Sequence, residues 1–389
     1  MNSRERVLLA LNHKEPDRVP IDFGGIVTSL HHEAHRRLLK HLGLPPYEAP
    51  IIDMFQQIVD PAPALKEMFH ADFVGFFANP GSGWELKVDP DTDTYVDEWG
   101  VLYRRPPGGY WYDLAGHPLK EGTLEELEKF KFPDPRDPNR IKGLAEKAKS
   151  LFEKTDKAIV INSPTAGIFE HSYWLRGIEP LYTDMAYNKK YVEALAERIV
   201  EWQFEFWDFV LDEVGPYVHI VKLGDDLGGQ HGPLFSPEIY RKIYKPRHRR
   251  LTDLIHRKTE AKVFFHSCGS IYWAMPDIIE SGMDIINPVQ VSAKDMGDTA
   301  RLKREFGRDL VFWGGGADAT EVMTFATPEG IKEEAKRRIH DLAPGGGFVF
   351  ASIHNIQANV PPENIVALYE AAYEYGKYPI RIADPPAGF

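Results

Sequence analysis

The chain has 389 residues, of which 43% are hydrophobic and 27% charged, proportions that are typical of a soluble globular protein with a large core. Its net charge of −12, from 46 basic and 58 acidic residues, gives no electrostatic footprint for nucleic acid. The first residues favour an amphipathic helix over a signal peptide, and no apolar run approaches the ~20 residues of a membrane span. We therefore expect a soluble, cytoplasmic protein with neither a nucleic-acid nor a membrane partner.

Eight short runs rich in Val, Ile and Phe predict β-strands. Near-continuous apolar character is typical of parallel strands that are buried on both faces. The runs cover residues 18–23, 73–77, 158–162, 219–224, 262–266, 284–288, 310–314 and 348–353. Amphipathic stretches between several runs predict helices, and they include residues 190–213, 237–258 and 328–342.

This alternation of strands and helices indicates a parallel α/β fold. Eight strands in this length predict a (β/α)₈ TIM barrel, which we expect to form a single domain over residues 1–389. A doubly wound sheet is the alternative, but Gly-x-Gly-x-x-Gly follows none of the runs.

A long insertion, residues 79–140, separates the second and third predicted strands. Within it, two β-prone runs around Gly100 predict a β-hairpin over residues 94–103. Two prolines and two glycines then lead to an aromatic cluster that contains Trp111. Such an insertion can be a lid over a substrate or simple packing over one end of the barrel, and the sequence leaves both open.

Polar residues follow most of the predicted strands. Catalytic groups of barrels lie at the carboxyl ends of the strands, so we expect an active site there. The candidates at these ends are Asp22, Asn162, Glu170, His171, Tyr173, Asp225, Asp226, His266, Cys268, Asn287, Gln290, Asp318 and His354.

The only cysteine of the chain lies in a His-x-Cys pair, His266 and Cys268, at the end of the fifth run. Residues i and i+2 of a strand point the same way, so both donors can converge on one metal ion, for which Zn²⁺ is the best match. A strand end with a buried thiol is the alternative. His354 is the best third ligand because it follows the eighth run, and an open fourth position would make the site catalytic. Asp318 and Glu333 compete as oxygen donors, although Glu333 falls within a predicted helix.

The pair Asp225-Asp226 follows the fourth run. One carboxylate could orient a ligand histidine while the other serves as acid or base. A helix cap or a turn before Gly228-Gly229 is an equally open interpretation. His171 and His231 are more typical of packed or solvent-facing side chains.

Six short segments together resemble the uroporphyrinogen decarboxylase superfamily over nearly the whole chain. They are Pro-Asp-Arg-Val-Pro at 16–20, Leu-Gly-Asp-Asp at 223–226, His-Ser-Cys-Gly at 266–269, Asn-Pro-Val-Gln at 287–290, Trp-Gly-Gly at 313–315 and Val-Pro-Pro-Glu-Asn-Ile at 360–365. The resemblance implies a (β/α)₈ barrel. The Arg-Gln-Ala-Gly-Arg segment with which true decarboxylases hold porphyrinogen carboxylates has no counterpart here, since residues 21–26 read Ile-Asp-Phe-Gly-Gly-Ile. This departure argues against the decarboxylase activity.

Within the superfamily the chain looks more like the cobamide-dependent methyltransferases, which bind zinc through His-x-Cys and a later cysteine. His266 and Cys268 match that pair, and His354 is the nearest replacement for the later cysteine. The resemblance implies a zinc-dependent enzyme that moves a methyl group from an O-methyl substrate, such as an aromatic methyl ether, to cobalt. No segment resembles a corrinoid-binding domain, so the cobamide should arrive on a separate partner protein.

The implied site residues fall into two groups besides the metal ligands. The catalytic candidates are Asp225, Asp226 and Asp318. The substrate-binding candidates are Asp22, Tyr173, Asn287, Gln290 and Trp111. The outer helices of a barrel could support a homodimer. Two other functions stay open: a metal-free decarboxylase, and a tetrapyrrole- or corrinoid-binding protein without turnover.

Overall fold

The computed structural model describes residues 1–318 and 321–380 of the chain. Its strands are β1 (Leu30–His31), β2 (Ile51–Asp53), β3 (Ile58–Val59), β4 (Phe73–Phe77), β5 (Thr94–Val96), β6 (Leu102–Arg104), β7 (Asp113–Gly116), β8 (Ala158–Asn162), β9 (Ile220–Gly224), β10 (Lys262–His266), β11 (Ile285–Asn287), β12 (Val311–Trp313) and β13 (Phe348–Val349).

Its α-helices are α1 (Ser3–Leu11), α2 (His32–His41), α3 (Pro63–Met68), α4 (Leu124–Lys129), α5 (Leu144–Lys154), α6 (Ile168–Arg176), α7 (Ile178–Tyr187), α8 (Lys189–Val214), α9 (Pro237–Ile239), α10 (Lys245–Lys258), α11 (Met275–Glu280), α12 (Thr299–Phe306), α13 (Val322–Phe325), α14 (Pro328–Leu342) and α15 (Pro362–Tyr375). Short 3₁₀ segments cover Pro138–Ile141, Gly215–Tyr217 and Tyr272–Ala274, and a π-helical turn covers Tyr240–Tyr244. No helix of the described residues is both long and apolar enough to cross a membrane.

Seven strands form one parallel sheet, in which β4, β8, β9, β10, β11, β12 and β13 lie side by side in chain order. The extended stretch 18–23 closes this sheet into a barrel. Ile21 forms a parallel bridge with Phe350, and its carbonyl oxygen accepts a hydrogen bond from the N–H of Asp72, just before β4, at 2.8 Å. The (β/α)₈ prediction is therefore confirmed. The first predicted strand forms bridges rather than a regular ladder, and Pro20 within it lacks the N–H that a ladder needs.

The strands alternate between two apolar layers. On β9, Ile220 belongs to the core inside the barrel, whereas Val221 and Leu223 pack against the surrounding helices. Val7 and Leu11 of α1 also join the inner core and close the amino end of the barrel. The carboxyl end of the strands is thus the end at which polar groups can gather.

A buried ion-pair network ties the closing stretch to the barrel. Asp72 is fully buried, and its carboxylate accepts hydrogen bonds from Arg6 Nη1 at 2.9 Å and from Arg18 Nη1 at 2.7 Å. It also accepts the backbone N–H of Ile21 at 2.9 Å. Because each charge has a partner, this network joins α1, the closing stretch and the start of β4.

The segment between β4 and β8 contains a three-stranded antiparallel sheet in the order β5, β6, β7. The stretch for which a hairpin is predicted forms β5 and β6, in which Tyr95 pairs with Tyr103 and their rings stack at 4.6 Å. The N–H of Tyr112 donates to the carbonyl oxygen of Phe55 at 2.8 Å, and that of Leu119 donates to Leu175 of α6 at 2.9 Å. The small sheet therefore packs near α6, which follows the carboxyl end of β8.

Candidate metal centre at the carboxyl ends of the strands

Three potential metal donors meet at the mouth of the barrel. His266 ends β10, Cys268 follows it by two residues, and His354 comes from the loop after β13. One donor atom from each lies within 4.8 Å of the others, and Cys268 Sγ is 3.3 Å from His266 Nε2. In residues 1–318 and 321–380, this is the group of at least three His, Cys, Asp or Glu side chains close enough to hold a metal ion. Two imidazoles and one thiol that converge in this way fit a zinc site with one open position.

Burial sets the protonation states of these donors. It lowers the pKa of His266 to about 3, with a further contribution from the nearby Lys222 cation, and it lowers the pKa of His354 to about 3 as well. Burial also raises the pKa of the Cys268 thiol, and the negative charge of Asp226 raises it further. Both imidazoles are thus neutral, as metal ligands must be, whereas the thiol would have to lose its proton on metal binding.

Asn287 orients the imidazole of His266. Its Oδ1 accepts a hydrogen bond from His266 Nδ1 at 2.6 Å, and its Nδ2 donates to the carbonyl oxygen of Trp313 at 2.9 Å. This bond fixes the imidazole with Nε2 towards Cys268. Asn287 is fully buried and both ends of its amide are engaged. Its predicted contact with substrate stays a prediction, and the structure adds that β11 directs its side chain to the ligand histidine.

His354 has an unusual backbone conformation for a residue with a side chain. Its φ is 64°, in the left-handed region, and its carbonyl oxygen accepts a hydrogen bond from Ser352 Oγ at 2.8 Å. The ring lies 5.3 Å from the ring of His266, centroid to centroid. Backbone strain of this kind is concentrated at functional sites, because surrounding structure must hold it in place.

Asp226 lies beside the metal donors. Its Oδ1 accepts the backbone N–H of Cys268 at 2.7 Å and is 4.0 Å from His266 Nε2. Burial raises the pKa of Asp226. The carboxyl group is therefore in position to hold a proton next to whatever occupies the open position.

The carboxylate of Asp225 contacts the start of α6 and not the metal donors. Its two oxygens accept the backbone N–H groups of Phe169 and Glu170, both at 2.9 Å, and Oδ2 also contacts His248 Nε2 at 3.1 Å. It therefore caps the start of α6, a helix that lies earlier in the chain. Gly167 permits this contact, since a Cβ there would lie 2.3 Å from Asp225 Cβ. A catalytic role for Asp225 stays a prediction, and its hydrogen bonds show that it positions the start of α6.

Glu170 is a further carboxyl group at the site, in the first turn of α6. Burial raises its pKa well above the ordinary value, and the negative charges of Asp226 and Asp225 raise it further. Glu170 is one of the candidates at the strand ends, but the sequence predicts no role for it. Its position at the site depends on Asp225, whose hydrogen bonds hold the first turn of α6 near the metal donors. This contact between distant segments cannot be seen in the sequence.

Lys222 is a second polar residue at this end of the sheet for which the sequence predicts no role. It lies on β9 in register with Asn162 of β8 and Phe264 of β10, and it lines a small cavity of about 30 Å³ inside the barrel. Burial lowers the pKa of its ammonium group, and the carboxylates of Glu170 and Asp53 oppose that shift. Strand alternation could have predicted this position from the sequence, because it places residue 222 on the inner face of the barrel together with Ile220.

The acidic alternative to the zinc donors is not assembled. Glu333 is exposed on α14. Asp318 is 6% exposed, and its Oδ1 accepts the backbone N–H of Glu321 at 2.7 Å, just before α13. Within the described residues, neither side chain belongs to the group that can hold a metal. The structure therefore favours the group of His266, Cys268 and His354 over the rival set of Asp318, Glu333 and His354, because α14 presents Glu333 to solvent.

The remaining substrate-binding candidates are spread around the mouth. Asp22 is buried, and its Oδ2 accepts hydrogen bonds from Thr28 Oγ1 at 2.6 Å and from Trp313 Nε1 at 2.9 Å. Burial raises its pKa to about 6. Gln290 holds the His-x-Cys loop, since its Oε1 accepts the N–H of Gly269 at 2.8 Å.

The two aromatic candidates differ in exposure. Tyr173 lies on α6, where burial and the charge of Glu170 raise the pKa of its hydroxyl. Trp111 is 44% exposed in the loop between β6 and β7.

The chain is similar to known proteins to different degrees. The solved structure of a methyltransferase from Methanosarcina mazei has the same fold, with a TM-score of 0.64 at 18% sequence identity over 96% of this chain and 99% of that one. A β-glycosidase from Thermosphaera aggregans is more distant, with a TM-score of 0.40 at 11% identity over 81% and 84% of the two chains. No curated protein matches the sequence. A family model described as uroporphyrinogen decarboxylase (URO-D) matches residues 116–375, two thirds of the chain. By this match and by its barrel, the chain belongs to the uroporphyrinogen decarboxylase family.

Proposed function

We propose that this chain is a zinc-dependent methyltransferase that moves a methyl group from an O-methyl substrate, an aromatic methyl ether, to the cobalt of a separate corrinoid protein. The observation that carries the proposal is the convergence of His266, Cys268 and His354 at the mouth of a URO-D family barrel. The methyltransferase that shares the fold supports the reaction class. The whole chain, residues 1–389, would act as one domain.

The donor set suits a catalytic metal rather than a structural one. Structural zinc sites use four protein ligands, whereas three ligands leave a position for water or substrate. Held by His266, Cys268 and His354, Zn²⁺ would act as a Lewis acid on the ether oxygen and make the phenolate a better leaving group.

The protein's own groups then have distinct tasks. Asn287 holds His266 in the tautomer that presents Nε2. Asp226, 4.0 Å from that nitrogen and with a raised pKa, holds a proton for the leaving oxygen. Asp225 fixes α6 and thereby keeps Glu170 at the site. The partner's corrinoid would supply the methyl acceptor, and the electron pair of the broken C–O bond would stay on the substrate's oxygen, beside Asp226.

The partner would dock over the same end of the barrel. The donors open towards the carboxyl end of the strands, while α1 closes the amino end, so a corrinoid can approach from one side only. Tyr173 and the half-exposed Trp111 are the aromatic side chains that would pack against the donor's ring.

Metal analysis tests the site directly. The purified protein should contain about one zinc per chain. His266→Ala, Cys268→Ala and His354→Ala should each lose it, whereas His231→Ala, a change at an exposed histidine outside the donor group, should retain it. A wild-type protein without affinity for zinc would overturn the proposal and favour the decarboxylase alternative.

Methyl transfer tests the reaction. A panel of methoxyaromatic compounds is offered to the zinc-loaded protein with a reduced corrinoid protein, and methyl-cobalt formation is followed by its absorption spectrum. Transfer that depends on all three donors is the expected result. No transfer from any compound, with a corrinoid protein shown to be active, would contradict the assignment.

A further inference from the structure

The loop between β6 and β7, residues 105–112, carries two aromatic side chains next to each other, and we call it the aromatic loop. Tyr110 is 50% exposed and Trp111 is 44% exposed, and their ring centroids are 6.5 Å apart. Aromatic rings carry a large apolar area, and a folded protein is stabilised when that area is buried. Two neighbouring rings that are left half in solvent therefore indicate a surface that binds an apolar ligand.

The aromatic loop begins with a stiff turn. The N–H of Gly109 donates to the carbonyl oxygen of Pro106 at 2.8 Å. Pro107 fixes its own φ, and Gly108 has the positive φ, 76°, that the third position of a type II turn requires. A Cβ at residue 109 would lie 2.8 Å from Pro106 Cγ, so glycine is needed there as well. The two rings that follow the turn are thus held on a rigid support.

The base of the aromatic loop is closed by Asp93. Its Oδ2 accepts a hydrogen bond from Arg105 Nε at 2.7 Å and its Oδ1 accepts one from the hydroxyl of Tyr112 at 2.6 Å, so one carboxylate joins the first and last residues of the loop. The N–H of Tyr112 also donates to the carbonyl oxygen of Phe55 at 2.8 Å, and the ring of Phe55 lies 6.1 Å from that of Trp174 on α6. One end of the loop is therefore attached to the α6 side of the barrel mouth.

His31 attaches the aromatic loop to the part of the mouth that carries His354. This histidine is 1% exposed, and its Nε2 lies 2.8 Å from the carbonyl oxygen of Tyr110. Its backbone N–H donates to the carbonyl oxygen of Ile356 at 2.9 Å, two residues after His354. Through His31, the backbone that carries the two rings is connected to the loop that carries the third metal donor.

The hydrogen bonds of His31 require one tautomer. Its Nδ1 lies 3.1 Å from the backbone nitrogen of Glu33, whose N–H can only donate, and its Nε2 faces the carbonyl oxygen of Tyr110, which can only accept. The neutral imidazole with its proton on Nε2 satisfies both groups. Burial lowers the pKa of His31, which keeps the ring neutral. The same side chain thus caps α2 with one nitrogen and holds the aromatic loop with the other.

We propose that His31 is a positioning residue for substrate recognition: it holds the aromatic loop at the rim of the barrel so that Trp111 forms one wall of the site for a planar aromatic methyl donor. This inference rests on the proposed function and adds the group that fixes the wall. The ring of the donor would pack against the exposed face of Trp111, with its methoxy group towards His266, Cys268 and His354. Such a contact contributes to donor binding and not to the breaking of the C–O bond, so its loss should change KM and leave kcat as it is.

Two substitutions of His31 separate its two hydrogen bonds. Asparagine places an oxygen near the position of Nδ1 and is a good N-cap, but it is too short to reach Tyr110, so His31→Asn keeps the cap and loses the bond to the loop. Glutamine is longer and places an amide nitrogen near the position of Nε2, so His31→Gln keeps a donor for the loop and loses the cap. His32→Asn is the control, since the ring of His32 stacks on that of His31 at 4.4 Å but its side chain is 40% exposed.

Four quantities are measured for each variant: the dissociation constant of methoxybenzene without the corrinoid protein, KM and kcat for methyl transfer, zinc affinity by chelator competition, and the thermal unfolding temperature. Methoxycyclohexane, which carries the same methoxy group on a ring that is not planar, is the comparison ligand. The dissociation constant reports on the wall even where no methyl group is transferred.

His31→Asn should weaken the binding of methoxybenzene and raise its KM about 2- to 12-fold, the equivalent of one aromatic contact. Its kcat, zinc affinity and unfolding temperature should match those of the wild type, and its binding of methoxycyclohexane should change less. His31→Gln should bind methoxybenzene nearly as the wild type does and unfold at a temperature lower by about 1–3 °C. His32→Asn should match the wild type in all four quantities.

Trp111→Ala tests whether His31 acts through the aromatic loop. Alone, this change should weaken the binding of methoxybenzene as His31→Asn does. In the double variant the second change should add little, because the wall is already lost.

Three results would overturn the role of His31: unchanged methoxybenzene binding in His31→Asn, equal losses in His31→Asn and His31→Gln, and additive losses when His31→Asn is combined with Trp111→Ala. A higher KM for the corrinoid protein with unchanged donor binding would also overturn it, because the aromatic loop would then belong to the docking surface of the partner. A wild-type protein that neither binds nor demethylates any methoxyaromatic compound removes the proposed function, and this inference with it. Wild-type activity without the expected changes in the variants removes this inference alone.

Discussion

Replacement of Asn287 by alanine is expected to weaken both metal binding and the fold. The amide makes two buried hydrogen bonds, one with His266 Nδ1 at 2.6 Å and one with the carbonyl oxygen of Trp313 at 2.9 Å. Each partner left unsatisfied costs about 1–3 kcal/mol, so the free energy of unfolding of the metal-free protein should fall by about 2–6 kcal/mol. Loss of the group that orients a ligand histidine should weaken zinc binding about 10- to 100-fold.

Two measurements separate these effects: chelator competition for zinc affinity and urea unfolding of the metal-free protein. Asn162→Ala is the matched control, because Asn162 is also a buried asparagine at a strand end but donates to the carbonyl oxygen of Phe76 at 3.2 Å. It should lose stability and keep its zinc affinity. Asn287→Asp, which keeps an acceptor for His266, should recover zinc affinity.

The orienting role of Asn287 would be refuted by an Asn287→Ala variant that unfolds more easily yet binds zinc as tightly as the wild type. It would also fail if Asn162→Ala lost zinc to the same extent, since the barrel's general stability would then explain both results.

Three other predictions follow from burial and charge. Zinc binding at pH 7 should release at least one proton, because burial raises the pKa of the Cys268 thiol. Calorimetry in buffers of different ionisation enthalpy counts the protons released. Zinc binding without proton release would contradict the raised pKa of the thiol. Burial raises the pKa of Asp22 from 3.8 to about 6, so its ionisation disfavours the folded state as the pH rises through this interval. Asp22→Asn should therefore raise the free energy of unfolding at pH 8 by about 3 kcal/mol and change it little at pH 3, and urea unfolding that shows equal gains at both pH values would exclude this cause. Asp72→Ala leaves Arg6 and Arg18 without their shared carboxylate and should cost about 3–5 kcal/mol in the same assay; a loss below 1 kcal/mol would show that the network contributes little.

The barrel strands could be located from the sequence because strands buried on both faces leave continuous apolar runs. Seven of the eight runs became regular strands, with ends within a few residues of those expected. The closing stretch 18–23 was harder to describe, since its pairing depends on Asp72 and Phe350, which are distant in sequence. The third strand of the small sheet, Asp113–Gly116, was not expected because its residues have little β-propensity.

The candidate metal ligands could be predicted from the sequence for a geometric reason. Strand alternation, continued past the end of β10, predicts that His266 and Cys268 lie on one side, and the end of the last strand of a barrel lies at the same mouth. The roles of Asn287 and Asp225 could not be predicted from the sequence, because each depends on a partner in another element. Asn287 contacts His266, and Asp225 contacts the start of α6. Spacing along the chain carries no information about such contacts.

The left-handed backbone at His354 limits how this centre could be altered by evolution or by design. Histidine, aspartate and asparagine tolerate that conformation better than most residues with side chains, and glycine adopts it freely. Replacement of His354 by aspartate would therefore keep the loop conformation. Replacement by cysteine would strain the backbone even in the absence of a metal ion. The fold itself thus narrows the range of metals that this position can be adapted to hold.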